Sequence, residues 1–149
     1  MTDEQQEQWN KHGCGPRCLI AMSRERQIPI TADQILDAFL PKYPQWVTKC
    51  GSTVTSMLID IARHFGLCSQ AHVFRTTEEI LTLAKNNQLA GVLAFTECTS
   101  SSHCWLLARY LPDTEEFLFA DPAPNGQNYP HTLPSDVVNQ RFAYFLALF

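Results

Sequence analysis

Cys14 lies between two glycines, in the run His12-Gly13-Cys14-Gly15-Pro16, directly ahead of residues with helical spacing. A helix N-terminus offers unpaired N–H groups and a partial positive charge, which favour a thiolate over a thiol. The flanking glycines leave room for a carbonyl to approach the sulfur. Gln8, six residues earlier, carries an amide able to donate a hydrogen bond to a developing oxyanion. His103 heads the apolar run Cys104-Trp105-Leu106-Leu107, and Asp121 follows the apolar run 117–120. A hairpin turning at Leu111-Pro112-Asp113-Thr114 brings these two ends side by side. There a carboxylate can accept the imidazole N–H and fix its tautomer. The chemistry expected of this set is thiol-dependent acyl transfer. Cys14 is the nucleophile, His103 the base, Asp121 the orienting acid and Gln8 the oxyanion donor.

The elements that must position these residues follow from pattern. Residues 1–10 read as a polar tail leading into the turn at Cys14. Pro16 suits the first position of a helix carrying Cys18, Leu19 and Met22 and ending before Pro29. A second helix is expected over 32–40, capped by Thr31 and stopped by Pro41, then a loop holding Tyr43 and Trp46. Residues 53–65 form a third helix, with Val54, Met57, Leu58 and Ile61 on one face and Gly66 as its stop. Residues 71–74 read as a strand. Thr76 and Glu79 form a capping box for a helix reaching Lys85. Beyond Asn86-Asn87 the chain reads as extended, with strands over 90–95, 104–110, 117–120 and 142–149. Five of the nine prolines fall between Pro112 and Pro134, so the segment after Ala120 is expected to be a long irregular loop. Helices first and antiparallel strands afterwards give an α+β domain.

Other readings of the same residues are weaker. Free cysteine is commonly buried, and Cys18, Cys50, Cys68 and Cys98 are taken as structural. Asp113 rivals Asp121 but belongs at the hairpin tip. His64, His72 and His131 read as surface or packing residues; His12 could sit beside Cys14 and influence it. Zinc held by Cys14, Cys18, Cys98, His103 and Cys104 is the main chemical competitor. Cys-x-x-x-Cys with a proline inside it is a poor knuckle, so no metal or cofactor is expected.

Composition sets the outer limits. At 149 residues, with 45% hydrophobic and 17% charged residues, the chain suits one globular domain, 1–149. Its net charge is −4 and its basic residues are scattered, which argues against nucleic acid as a partner. Trp46, Trp105 and Tyr110 therefore read as core or groove lining rather than a stacking platform. No apolar run approaches the roughly 20 residues needed to cross a bilayer. The acidic start MTDEQQEQW is unlike a secretory signal, so a reducing cytoplasm with free thiols is the expectation. Export as an effector by a dedicated machine would escape that reasoning.

The chain also resembles the papain-like cysteine peptidases, and more closely their C39-like branch, which trims double-glycine leader peptides. The matching pieces are Gln8 six residues before Cys14, the run Cys14-Gly15-Pro16-Arg17-Cys18-Leu19, Gly51-Ser52-Thr53 opening a long helix, His103 leading an apolar strand, and Asp121-Pro122 after one hairpin. The resemblance implies a papain-like fold with N-terminal helices packed on an antiparallel sheet, and hydrolysis of peptide or isopeptide bonds in a protein or peptide substrate. It also implies the same four roles for Gln8, Cys14, His103 and Asp121. The alternatives it leaves open are a glutamine deamidase or transglutaminase-type effector, and a non-catalytic peptide-binding module.

Overall fold

The computed structural model describes residues 1–47, 53–85, 92–96 and 104–149. Helix α1 (Asp3–His12) replaces the polar tail expected at the N-terminus. Thr2 and Gln5 close a capping box, Lys11 pairs with Glu7 one turn away, and Trp9 docks into the core. Tertiary docking of that one indole, added to good local capping, holds a segment whose composition alone reads as solvated. A single residue, Gly13, separates α1 from α2 (Cys14–Glu25). Pro16 is the third residue of α2 rather than its first, still within the turn where a missing N–H costs no helical bond. Helices α3 (Ala32–Phe39) and α4 (Thr55–His64) follow, the first capped by the reciprocal Thr31–Gln34 box. Gly66, at φ 73°, ends α4 in the left-handed conformation that glycine adopts without strain.

The remaining elements are β1 (Ala71–Phe74), α5 (Thr77–Lys85), β2 (Val92–Thr96), β3 (Cys104–Leu111), β4 (Glu116–Pro122), β5 (Asn128–Pro134), α6 (Ser135–Arg141) and β6 (Phe142–Leu148). Six strands form one antiparallel sheet in the order β1-β6-β2-β3-β4-β5. The fold is therefore α+β, with the N-terminal helices packed on an antiparallel sheet. The segment expected as irregular loop instead supplies β5 and α6. β5 lies at the sheet edge, where Pro130 and Pro134 cost no ladder bond on the open side. Among the described residues no helix is long and apolar enough to cross a membrane.

Both faces of the central strands are covered. Leu93, Phe95, Cys104, Leu106, Leu146 and Leu148 join one core with α1 to α4. Their neighbours Val92, Ala94, Trp105, Leu107, Phe145 and Ala147 join a second core that includes Ile80 of α5 and Val138 of α6. This explains why these strands read as continuous apolar runs instead of alternating ones: successive side chains point to opposite faces, and both are dry.

The arrangement makes a paired prediction. Phe145 and Leu146 are adjacent, fully buried, and belong to different cores. Phe145→Ala should cost about 3–5 kcal/mol and Leu146→Ala about 2–5 kcal/mol in urea unfolding. A near-neutral result for either would mean that one face of the sheet is open.

Candidate functional site

Cys14 is the first residue of α2 and is 4% exposed. The main-chain N–H groups of Gly15 and Cys104 act on its sulfur, each favouring the thiolate. The second contact carries most information about the site, because it joins the helix end to the first residue of β3. The thiol is thereby held against the chain immediately after His103. His103 itself lies outside the described residues, as do Cys50, Cys98, Gly51 and Ser52.

The glycines beside Cys14 have packing roles that spacing alone does not reveal. A Cβ at Gly15 would stand 3.0 Å from both δ-carbons of Leu58, so the bare backbone lets α4 close on α2. A Cβ at Gly13 would fall 2.5 Å from the Trp9 carbonyl oxygen, which requires the sharp α1–α2 corner to be glycine.

Burial dominates the electrostatics. It pushes the Cys14 thiol up to about 11, and the nearby Cys18 acts in the same direction. Arg17 and the two N–H groups pull the other way without offsetting the desolvation. The thiolate-favouring effect expected of a helix N-terminus is therefore present but outweighed. Cys18 and Cys104, both fully buried, lie beneath with their sulfurs 3.7 Å apart, and the Cys18 thiol donates to the Cys104 carbonyl at 3.6 Å. Both are free thiols. Burial likewise raises the Cys104 pKa. Among the described residues no group of three or more His, Cys, Asp or Glu side chains is arranged to hold a metal ion.

Asp121 is half-buried near the end of β4, opposite Tyr129 of β5. β3 and β4 pair through Leu106 and Ala120, so the hairpin does carry the Cys104 end of β3 to the Asp121 end of β4. Arg17, one turn after Cys14, spans the same gap: its Nε donates to the Pro122 carbonyl at 3.0 Å, and its Nη1 donates to the Trp9 carbonyl. The structure thus gathers Cys14, Cys104 and the Asp121–Pro122 corner around one buried guanidinium. Gln8 is exposed on α1.

No protein-family model and no curated protein matches the chain.

Two neighbours of the site were not singled out by sequence reasoning. Arg17 is one; the signal was a cation set among Cys14, Cys18 and Leu19, on the buried side of an amphipathic helix. The other is Tyr144 of β6, stacked on Phe95 at 4.7 Å with its hydroxyl 3.3 Å from Thr55 Oγ1. Burial raises its pKa.

The raised thiol pKa has a stability consequence. In the unfolded chain Cys14 loses its proton near the ordinary 9.0, while in the fold it keeps it to about 11. The unfolded state therefore binds fewer protons across this window, and stability contributed by the neutral thiol is lost as pH rises from 9 to 11. Two units correspond to about 2–3 kcal/mol. Urea titrations should show Cys14→Ala losing about 2 kcal/mol less than the wild type over that range. Parallel losses in the two proteins would exclude a buried neutral thiol at this position.

Proposed function

We propose that this protein is a papain-like thiol hydrolase that cleaves peptide or isopeptide bonds at Cys14. The single observation that carries the reading is the seating of the start of α2 on Cys104, the residue that follows His103: Cys18 touches it at both carbonyl and sulfur, and its N–H acts on the Cys14 sulfur. The Asp121 end of β4 beside it supports the same reading.

In this mechanism the resting nucleophile is a neutral thiol, so a base must act. The imidazole of His103 takes the Cys14 proton as the sulfur attacks the substrate carbonyl carbon. The carbonyl π pair moves to oxygen, where N–H donors at the first turn of α2 and the Gln8 amide meet the oxyanion. Collapse expels the amine, which takes the proton from His103 and leaves a thioester on Cys14. Water, deprotonated by His103, then releases the acid and restores the thiol. Asp121 accepts the other imidazole N–H throughout and holds the ring in the productive tautomer. The protein is expected to work in a reducing cytoplasm or after export as an effector.

A peptide library incubated with the protein and read by mass spectrometry tests this. Wild type should release fragments and Cys14→Ala none, while His103→Ala should fall by about 10²–10⁴-fold. A gain of about one dalton without cleavage would mark the deamidase alternative, since –NH2 is replaced by –OH on the same acyl intermediate. Full turnover by Cys14→Ala would falsify the thiol mechanism. The competing peptide-binding module is favoured by one observation, the raised thiol pKa; it requires saturable peptide capture with no change in peptide mass.

A further inference from the structure

Next to the Asp121–Pro122 corner is a cavity of about 230 Å³, open to solvent. Its walls are largely apolar, with Trp9, Ile20, Ile30 and Pro122, and also carry the polar side chains of Thr31 and Asn128. Two cations also line it, Arg17 and Arg24, and among the described residues no Asp or Glu does. In a protein of net charge −4 that is a local reversal of sign.

Arg17 gives the cavity its chemistry. The residue is 9% exposed; its guanidinium donates to two neutral carbonyls, those of Trp9 and Pro122, and feels the Asp121 carboxylate nearby. A guanidinium carries five N–H donors, and a carboxylate matches its fork better than carbonyls do. Arg24 is exposed at the same cavity, where it would draw an anion toward the opening. The volume lies below the roughly 300–1,000 Å³ of pockets that hold whole drug-sized ligands, so it suits one residue. Arg17 follows Cys14 by three residues, which places the two side chains as neighbours on one helix face. A carboxylate held on Arg17 therefore lies on the same helix face as the sulfur.

The geometry points to this cavity as a recognition pocket for the C-terminal residue of a peptide, its apolar side chain against the walls and its chain-end carboxylate on Arg17. Its assignment to substrate rests on the thiol-hydrolase reading; the anion pocket itself does not. With both in place, the bond presented to Cys14 lies near the end of the peptide.

The test is calorimetric binding to the full chain carrying Cys14→Ala, so that nothing is consumed. Three probes are compared: acetyl-Ala-Leu as the free acid, the same peptide as its amide, and acetyl-Ala-Glu amide, which moves the carboxylate to a side chain. The free acid should bind about tenfold or more tightly than its amide, the scale of a hydrogen bond to a charged group. Added salt and Arg24→Gln should each weaken it severalfold. Arg17→Gln should bring the acid down to the level of the amide. Because that change also removes two internal hydrogen bonds, Ala123→Phe serves as the second variant. Ala123 lines the cavity and belongs to neither core, so the added ring fills the pocket while the fold, checked by circular dichroism, stays intact. Equal affinity for acid and amide overturns the pocket, and so does undiminished acid binding by folded Ala123→Phe. Preference for the glutamate probe overturns the chain-end assignment in favour of an acidic side chain. Acid-selective binding without cleavage by wild type leaves the pocket standing and removes the hydrolase reading. Cleavage without acid preference does the reverse.

Discussion

The Arg17 guanidinium donates to carbonyls at two distant points of the chain, Trp9 on α1 and Pro122 on β4. Those two bonds fix α2 against both its preceding helix and the far strand of the hairpin, and everything around Cys14 is built on that join. Burying a cation among apolar groups costs solvation, and burial accordingly lowers the Arg17 pKa. The carbonyl dipoles offset part of that cost, each bond contributing about 1.5–3 kcal/mol as a hydrogen bond to a charged group. The negative charge of Asp121 nearby favours the guanidinium charge as well. The guanidinium in turn is one of the few influences lowering the Cys14 pKa, so the same residue that ties the layers together biases the thiol.

Burial then decides the state in which the sulfur rests. A helix N-terminus, a neighbouring cation and two N–H donors all favour the thiolate, yet desolvation by the helices α1 to α4 and the sheet wins. The glycines on either side of Cys14 are what permit this enclosure, because each stands where a methyl group would separate α2 from Trp9 or Leu58. At Gly13 and Gly15 the bare backbone makes room for the protein's own Trp9 and Leu58.

Local signals were legible in the sequence and tertiary ones were not. Thr31 as a cap, and Thr76 with Glu79 as a box, bound their helices as expected, since such caps need only a few local residues. Helix α1 was not legible, because its polar face gives no periodic stripe and its anchor is the single indole of Trp9. β5 and α6 were hidden by prolines, which exclude a central strand but not an edge one, and edge position is a property of the whole sheet. Of the site, the approach of the Cys104 end of β3 to the Asp121 end of β4 followed from hairpin reasoning. The burial of Arg17 and the upward shift of the thiol arise from packing between segments about a hundred residues apart, as the Arg17–Pro122 bond illustrates.

The sheet order carries a consequence for how the chain is made. β6 sits between β1 and β2, with Phe145 opposite both Phe74 and Ala94. A ribosome therefore delivers β1 to β5 before the strand that separates β1 from β2 exists. Until residues 142–148 emerge, the nascent chain holds the unpaired strand β1 and the incomplete sheet β2–β5, whose β2 edge is open. The two could close on each other directly, yielding a compact but misthreaded five-stranded product from which β6 is excluded. Escape from that trap depends on the speed with which Phe142–Leu148 reaches its place between β1 and β2, so translation rate and chaperone shielding of those edges govern the yield of folded protein.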